Sequence, residues 1–398
     1  MGNQLTLLRI ENFRSLAHVS IDMRPINVLF GPNGSGKSTL LEAIRLARDC
    51  VFRDVEEAAR TRSNGFSMLR QGVDEQQGIV IGLETVSAKY ALRLGFSGGQ
   101  ILPYAGELLY SKGMSVPLIS RRTGSDEADF YYRERNSSVR ARLTFPEKLT
   151  LTQYMQGSDL LPVETFDLRN LLNSVHFYHS HYIDLSGLKH RGSESGMEIS
   201  LREDCGNLWS VLRNIRDKSA IDSRYETIIS FMRKSFPNFK DLVFEQTGPN
   251  AIYASFVETG RQHPIPILGV SDGYLQMLIY LTALFSQKTD WGSLIVFDEP
   301  ETSLHPYAIS VFAEAVEYAT KEWNKQVFIA THSPVLIGQF EPEDILVTGL
   351  DESGQTVLTR VSEMEDIKDL LESYDTGSLY MAEAIAPQSK PYAKERGE

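Results

Sequence analysis

The spacing of apolar residues changes period twice within the first fifty positions. Residues 5–10 and 19–23 alternate or cluster as two short strands around the turn Asn12-Phe13-Arg14-Ser15. Residues 26–30 form a continuous apolar run that ends in glycine, which predicts a strand buried on both faces. Leu40, Leu41, Ala43, Ile44, Leu46 and Ala47 then recur at helical spacing. The opening therefore reads hairpin, buried strand, glycine-rich loop, helix. Residues 79–86 and 89–96 predict a second hairpin before Gly98-Gly99, and residues 121–142 form a polar stretch with no evident core face. Residues 207–215 and 221–232 pattern as amphipathic helices. The last third returns to α/β alternation. It shows a buried helix at 275–285, a strand at 294–297, a helix at 307–319, a strand at 326–331 and a hairpin joining 345–347 to 356–358.

The pattern predicts an α/β domain assembled from both ends of the chain, with helices on both faces of a parallel sheet. Its parts are residues 1–100 with an antiparallel β subdomain, an inserted β and helical lobe at 101–265, and a returning α/β part at 266–398. Composition narrows the function. The net charge of −12 argues against a protein that simply coats nucleic acid, so DNA contact requires a local patch or a partner. Two cysteines, Cys50 and Cys205, exclude a disulfide scaffold and a four-cysteine zinc site. The longest apolar run, 274–285, is too short to span a membrane, which takes about 20 residues. The expected setting is cytoplasmic, with no membrane partner.

Three motifs carry chemistry. Gly31-Pro32-Asn33-Gly34-Ser35-Gly36-Lys37-Ser38 fits a phosphate-binding loop and lies between a predicted strand and a predicted helix. Its glycines let successive N–H groups converge on phosphate oxygens, aided by the helix N-terminus. Lys37 then reaches the β- and γ-phosphates of ATP, and Ser38 binds Mg²⁺. At 294–300 a buried strand ends in paired acids, Asp298 for the Mg²⁺ shell and Glu299 to activate water. Ala330-Thr331-His332-Ser333-Pro334 places a histidine at another strand end, where it can hold the γ-phosphate. Each has a structural alternative: a flexible loop, two acids capping a turn, and a packed histidine. Two looser groups favour structure over function. His176, His179 and His181 read as a half-buried strand or turn rather than a metal site. The arginines and aromatics of 121–142 are diluted by Asp126, Glu127, Asp129 and Glu134, and read as a solvated hairpin or partner surface.

As a set, Glu11-Asn12-Phe13-Arg14-Ser15-Leu16, the 31–39 loop through Thr39, Asp298-Glu299-Pro300-Glu301-Thr302-Ser303-Leu304-His305-Pro306 and 330–334 resemble the ABC ATPases of the SMC, RecF and OLD group. The resemblance implies a P-loop NTPase fold with an ABC-ATPase head, and further roles. Ser271-Asp272-Gly273-Tyr274 resembles the signature loop that touches the γ-phosphate held by an opposite subunit, with Asp272 and Tyr274 as departures. Ser303-Leu304-His305-Pro306 resembles the loop at the dimer seam, and Arg14 the basic residue that approaches nucleotide. Gln71, Gln76 and Gln77 are placed by position for the glutamine linking nucleotide to the helical lobe, and Gln77 is taken.

These implications add up to an ATP-hydrolysing homodimer or higher oligomer with composite ATP sites. It would act as a motor or switch for a nucleic-acid-directed system in phage defence or DNA repair. Residues 333–398 carry no nuclease-like acidic cluster, so the effector, such as a nuclease, is expected to be separately encoded. The alternatives are the ATPase of a membrane transporter and a low-turnover nucleotide-gated scaffold.

Overall fold

A computed structural model describes residues 4–62, 65–153, 163–246, 251–287, 292–371, 373–382 and 384–385. Two sheets share one side-chain layer. The first is antiparallel and eight-stranded, built from β1 (Leu5–Phe13), β2 (Leu16–Asp22), β4 (Ile79–Thr85), β5 (Ala88–Leu94), β8 (Gly106–Ser111), β9 (Ile119–Arg121), β10 (Glu127–Tyr132) and β11 (Ser137–Arg142). Its spatial order is β11-β10-β9-β8-β5-β4-β1-β2. Most neighbours along it are also neighbours in sequence, which short turns make cheap. A small hairpin, β6 (Phe96–Ser97) and β7 (Gln100–Ile101), interrupts the run at the paired glycines.

The central sheet has the order β12-β16-β17-β3-β18-β19. Its strands are β3 (Ile26–Phe30), β12 (Val175–His179), β16 (Ser293–Asp298), β17 (Lys325–Thr331), β18 (Ile345–Leu350) and β19 (Thr356–Arg360). All pairings are parallel except β18 with β19. Alternate residues of each strand serve different cores, as the period of 2 requires. Leu29, Leu294, Val296, Phe328 and Ala330 face the antiparallel sheet and helix α1 (Lys37–Phe52). Val28, Phe30, Ile295, Phe297, Val327 and Ile329 face helices Leu208–Arg216, Arg224–Ser235, Asp272–Phe285 and Pro306–Glu322. Burial on both sides explains why β3 and β17 are buried at every position. A third sheet, β13 (Phe239–Gln246), β14 (Ile252–Glu258) and β15 (Ile265–Pro266), packs with the second core.

The segment 101–265 is not set apart as one inserted lobe. β8 pairs with β5, so β8–β11 extend the N-terminal sheet across residue 100, while β12 enters the central sheet beside β16. Among the described residues of that segment, the two helices at 208–235 and β13–β15 pack with the second core. The stretch 121–142 also has a core face, because β10 buries Ala128 and Phe130. Arg121, expected at the surface, is buried against Glu107 and donates to the Lys148 carbonyl at 3.0 Å. Glu107 in turn accepts from the Tyr90 hydroxyl at 2.8 Å and from the Thr150 N–H at 2.6 Å. This satisfied network pins residues 146–151 to the sheet.

Lys325 is 1% exposed at the start of β17 and donates to the Ser293 hydroxyl at 2.9 Å. Burial pushes its ammonium down from 10.5 to about 8. A lowered lysine means the folded state sheds its proton first, so stability rises as pH climbs from about 8 to 10.5. Lys325→Met is expected to stabilise the fold by about 1–2 kcal/mol at pH 7 and to abolish that rise. Urea unfolding at several pH values checks it; a destabilised variant contradicts the sign.

Candidate functional site

The loop between β3 and α1 is shaped by residues that lie more than three hundred positions away. A methyl group on Gly31 would strike the carbonyl and hydroxyl of Thr348, and one on Gly36 would strike Thr356. Both glycines have positive φ, +156° and +104°. The Thr348 hydroxyl donates to the Phe30 carbonyl at 3.1 Å and shares a 2.5 Å hydrogen bond with Ser35. Thr356 bonds Ser15 through its N–H at 2.9 Å and its hydroxyl at 2.8 Å. The β18–β19 hairpin thus braces the loop and ties it to the turn that carries Arg14. Asn33, Gly34 and Ser38 stay exposed and Thr39 half-buried, while Lys37 is buried and donates to the carbonyls of Gly31 (2.8 Å) and Pro32 (2.9 Å).

The acids emerge at the same edge of the sheet. Asp298 is the last residue of β16 and sits opposite Ala330 of β17. Glu299 follows with φ +54°, a strained conformation for a non-glycine residue, and its N–H bonds the Ala330 carbonyl at 2.8 Å. That turn aims its carboxylate at two imidazoles: His332 Nε2 stands 3.6 Å away and His181 Nε2 3.3 Å. His179 Nε2 stands 3.3 Å from Asp298. Glu301 accepts from the Thr331 hydroxyl at 2.7 Å and from the His332 N–H at 3.0 Å, fixing where His332 leaves the strand.

Burial dominates the electrostatics. It pushes Lys37 down to about 8, against the opposing pull of Asp298, Glu299 and Glu301. It pushes Asp298 up to about 6, reinforced by the neighbouring Glu299 charge. His332 is lowered by burial and then by Lys37, which favours the neutral ring. Ser38, Asp298, His179, Arg14, Arg45 and Tyr182 line one cleft of about 450 Å³. A serine hydroxyl and a carboxylate opening together form a hard-oxygen donor set that suits Mg²⁺ alongside phosphate oxygens.

Not every expected residue joins this site. Gln77 is exposed in the turn before β4, and its carbonyl accepts from Arg93 at 2.9 Å. It lies on a turn of the antiparallel sheet and is not among the residues lining the cleft of Ser38 and Asp298. Gln71 instead lines a neighbouring cleft with Arg14 and Ser15. Ser271 and Gly273 open helix Asp272–Phe285, where they are exposed and half-buried. A methyl on Gly273 would lie 2.7 Å from the Ser303 carbonyl, so the signature-like loop packs on the loop at 303–306. Asp272, the departure from the usual signature, pairs with Lys189 at 2.6 Å. His176 is half-buried in β12, as its pattern suggested, whereas the facing of His179 and His181 toward the acids was not foreseen. Their signal, a strand-like Val175-His176-Phe177-Tyr178-His179, gave no clue to its neighbour. Glu301 was likewise missed as an organising residue. In the hairpin of β10 and β11, Arg140 and Arg142 pair with Asp129 and Asp126, both at 2.8 Å, which makes it a charge-balanced surface.

Residues 7–153 match the family described as "AAA domain" and residues 168–338 the family described as "AAA domain, putative AbiEii toxin, Type IV TA system". The OLD nuclease of Thermus scotoductus is 23% identical over 90% of this chain and 64% of its own length. The DNA replication and repair protein RecF of Acinetobacter baylyi is 29% identical over 29% of this chain and 30% of its own. The DNA double-strand break repair Rad50 ATPase of Methanopyrus kandleri is 39% identical over 24% of this chain and 10% of its own. The chain therefore spans less than two thirds of each of these relatives. Among solved structures, an SMC head bound to the C-winged helix domain of ScpA shares the fold, with a TM-score of 0.51 over 90% of this chain and 99% of that one, at 13% identity. Motifs, family matches, relatives and fold together support an SMC-, RecF- and OLD-like ABC-type ATPase with a P-loop α/β fold.

Proposed function

We propose that the protein hydrolyses ATP to ADP and phosphate and uses the cycle as a dimerising switch for a nucleic-acid-directed system. The observation that carries this reading is the convergence of Lys37, Asp298, Glu299 and His332 at one edge of the central sheet. In this reading the 31–38 loop cradles the triphosphate, and Lys37 exchanges the Gly31 and Pro32 carbonyls for phosphate oxygens. Ser38 and Asp298 hold Mg²⁺, which supplies charge neutralisation at the phosphates. Glu299 orients and deprotonates water, and His332 steadies the γ-phosphate. Arg14, at the rim of the same cleft, adds positive charge.

Ser271 and Gly273 lie at an exposed helix start, packed on the loop at 303–306, which supports their use by a second copy. Two ATPs would then be enclosed in a two-fold dimer, and hydrolysis would release it. The relatives named for DNA replication, double-strand break repair and nuclease activity support a nucleic-acid setting, in DNA repair or phage defence. The effector, such as a nuclease, is proposed to be a separate protein. Measuring ATPase activity with and without duplex DNA tests the setting: stimulation supports it, and indifference to DNA at every concentration argues against it.

Glu299→Gln is expected to keep ATP affinity, slow turnover by about 10²–10⁴-fold and trap an ATP-dependent dimer visible by light scattering. Turnover within a few-fold of wild type removes the role assigned to Glu299. Glu301→Ala is expected to free His332 and lower turnover by up to about 10²-fold, with ATP affinity nearly unchanged. Steady-state kinetics beside direct ATP titration checks this, and unaltered turnover contradicts it.

A further inference from the structure

The strand β12 and the turn after it are unexplained by phosphate binding alone, yet they touch both acids of the site. His179 ends β12 directly opposite Asp298 in the parallel register, and its Nε2 stands 3.3 Å from Asp298 Oδ2. Two residues later, His181 Nε2 shares a 3.3 Å hydrogen bond with Glu299 Oε2. The two histidines are themselves linked, because the His181 N–H donates to His179 Nδ1 at 3.1 Å. That bond occupies the Nδ1 lone pair, so the neutral ring carries its proton on Nε2, facing the carboxylate. Tyr182 packs against the His179 ring at 4.6 Å between centroids and restricts its rotation.

We infer that the turn His179-Ser180-His181 is a positioning clamp, in which His179 orients Asp298 and His181 orients Glu299. This rests on the proposed ATP site and adds to it the residues that aim its acids. The physical need is plain. Asp298 and Glu299 are adjacent carboxylates near a third, Glu301, and their mutual repulsion favours splayed side chains. A ring nitrogen approaching one oxygen of each, through a hydrogen bond at Glu299 and at an ion-pair distance of 3.3 Å at Asp298, sets how each carboxylate faces the cleft and leaves the second Asp298 oxygen for the cation. Outer partners of this kind commonly change metal affinity about 10–100-fold when removed. His332 Nε2 stands 3.6 Å from the other oxygen, Glu299 Oε1, beyond hydrogen-bond reach, so His181 and His332 flank the carboxylate while Oε1 stays open to water. The clamp is rigid because β12 is hydrogen-bonded along its length to β16, the strand that carries Asp298.

The test separates the two histidines and separates both from the phosphate site. Binding of a non-hydrolysable ATP analogue is titrated in EDTA and at graded Mg²⁺, and turnover is measured at saturating ATP. His179→Ala is expected to raise the Mg²⁺ needed for half-maximal binding by about 10-fold or more, with affinity in EDTA unchanged. His181→Ala is expected to lower kcat by about 10-fold or more with KM within about 3-fold. The glutamine variants H179Q and H181Q, which keep a donor N–H near the same place, are expected to recover most of each loss. Wild-type Mg²⁺ dependence and kcat in both alanine variants overturn the clamp, as does an equal loss of affinity in EDTA or a failure of glutamine to rescue. Wild-type protein that binds no nucleotide under either condition overturns the ATP site itself, and the clamp with it.

Discussion

The parallel register of β12, β16, β17 and β3 decides where every charged group of the site emerges. His179 lies opposite Asp298, Asp298 opposite Ala330, and Ala330 opposite Leu29. The chain therefore leaves four strands at nearly one level, and each exit carries part of the chemistry: the imidazoles, the acids, His332 and the phosphate loop. A slip of one residue in β16 would turn Asp298 into a core and push Phe297 out of its own. The apolar residues on both faces of the sheet make that slip expensive, so packing enforces a geometry that the polar groups alone would resist. Ligands of open α/β sheets gather at this end of the strands for the same reason.

Held together this way, the site stores unfavourable terms. An ammonium is desolvated, a carboxylate is pushed up to about 6 and Glu299 adopts a left-handed backbone. Such costs are tolerated when the surroundings over-determine the geometry. Here the support comes from the β18–β19 hairpin beneath the loop and from Glu301 beneath His332. A bound polyphosphate with a divalent cation would relieve both charge terms, since it offers Lys37 anionic partners and Asp298 a cation.

Much of this was legible in the sequence, and the reasons for the remainder are specific. The loop at 31–38 and the acids at 298–299 could be read because their chemistry is local, set by consecutive residues between elements of clear period. The buried strands at 26–30, 294–297 and 326–331 could be read because double-sided burial leaves unbroken apolar runs. What could not be read depends on pairing between distant strands. Nothing around Val175 signals that its strand joins β16, so His179 and His181 looked structural. Gln77 was chosen by its place along the chain, which does not convey which sheet a turn belongs to. Arg121 sits among arginines that do face solvent, and only its alignment with Glu107 across β8 and β9 takes it inside.

The central claim is that the loop after β3 and the acids ending β16 form one polyphosphate site. A structure solved with a non-hydrolysable ATP analogue and Mg²⁺ tests it most directly. The account predicts Lys37 Nζ withdrawn from the Gly31 and Pro32 carbonyls onto phosphate oxygens, with the cation between Ser38 and Asp298. Nucleotide bound elsewhere, with Lys37 still on those two carbonyls, would contradict it.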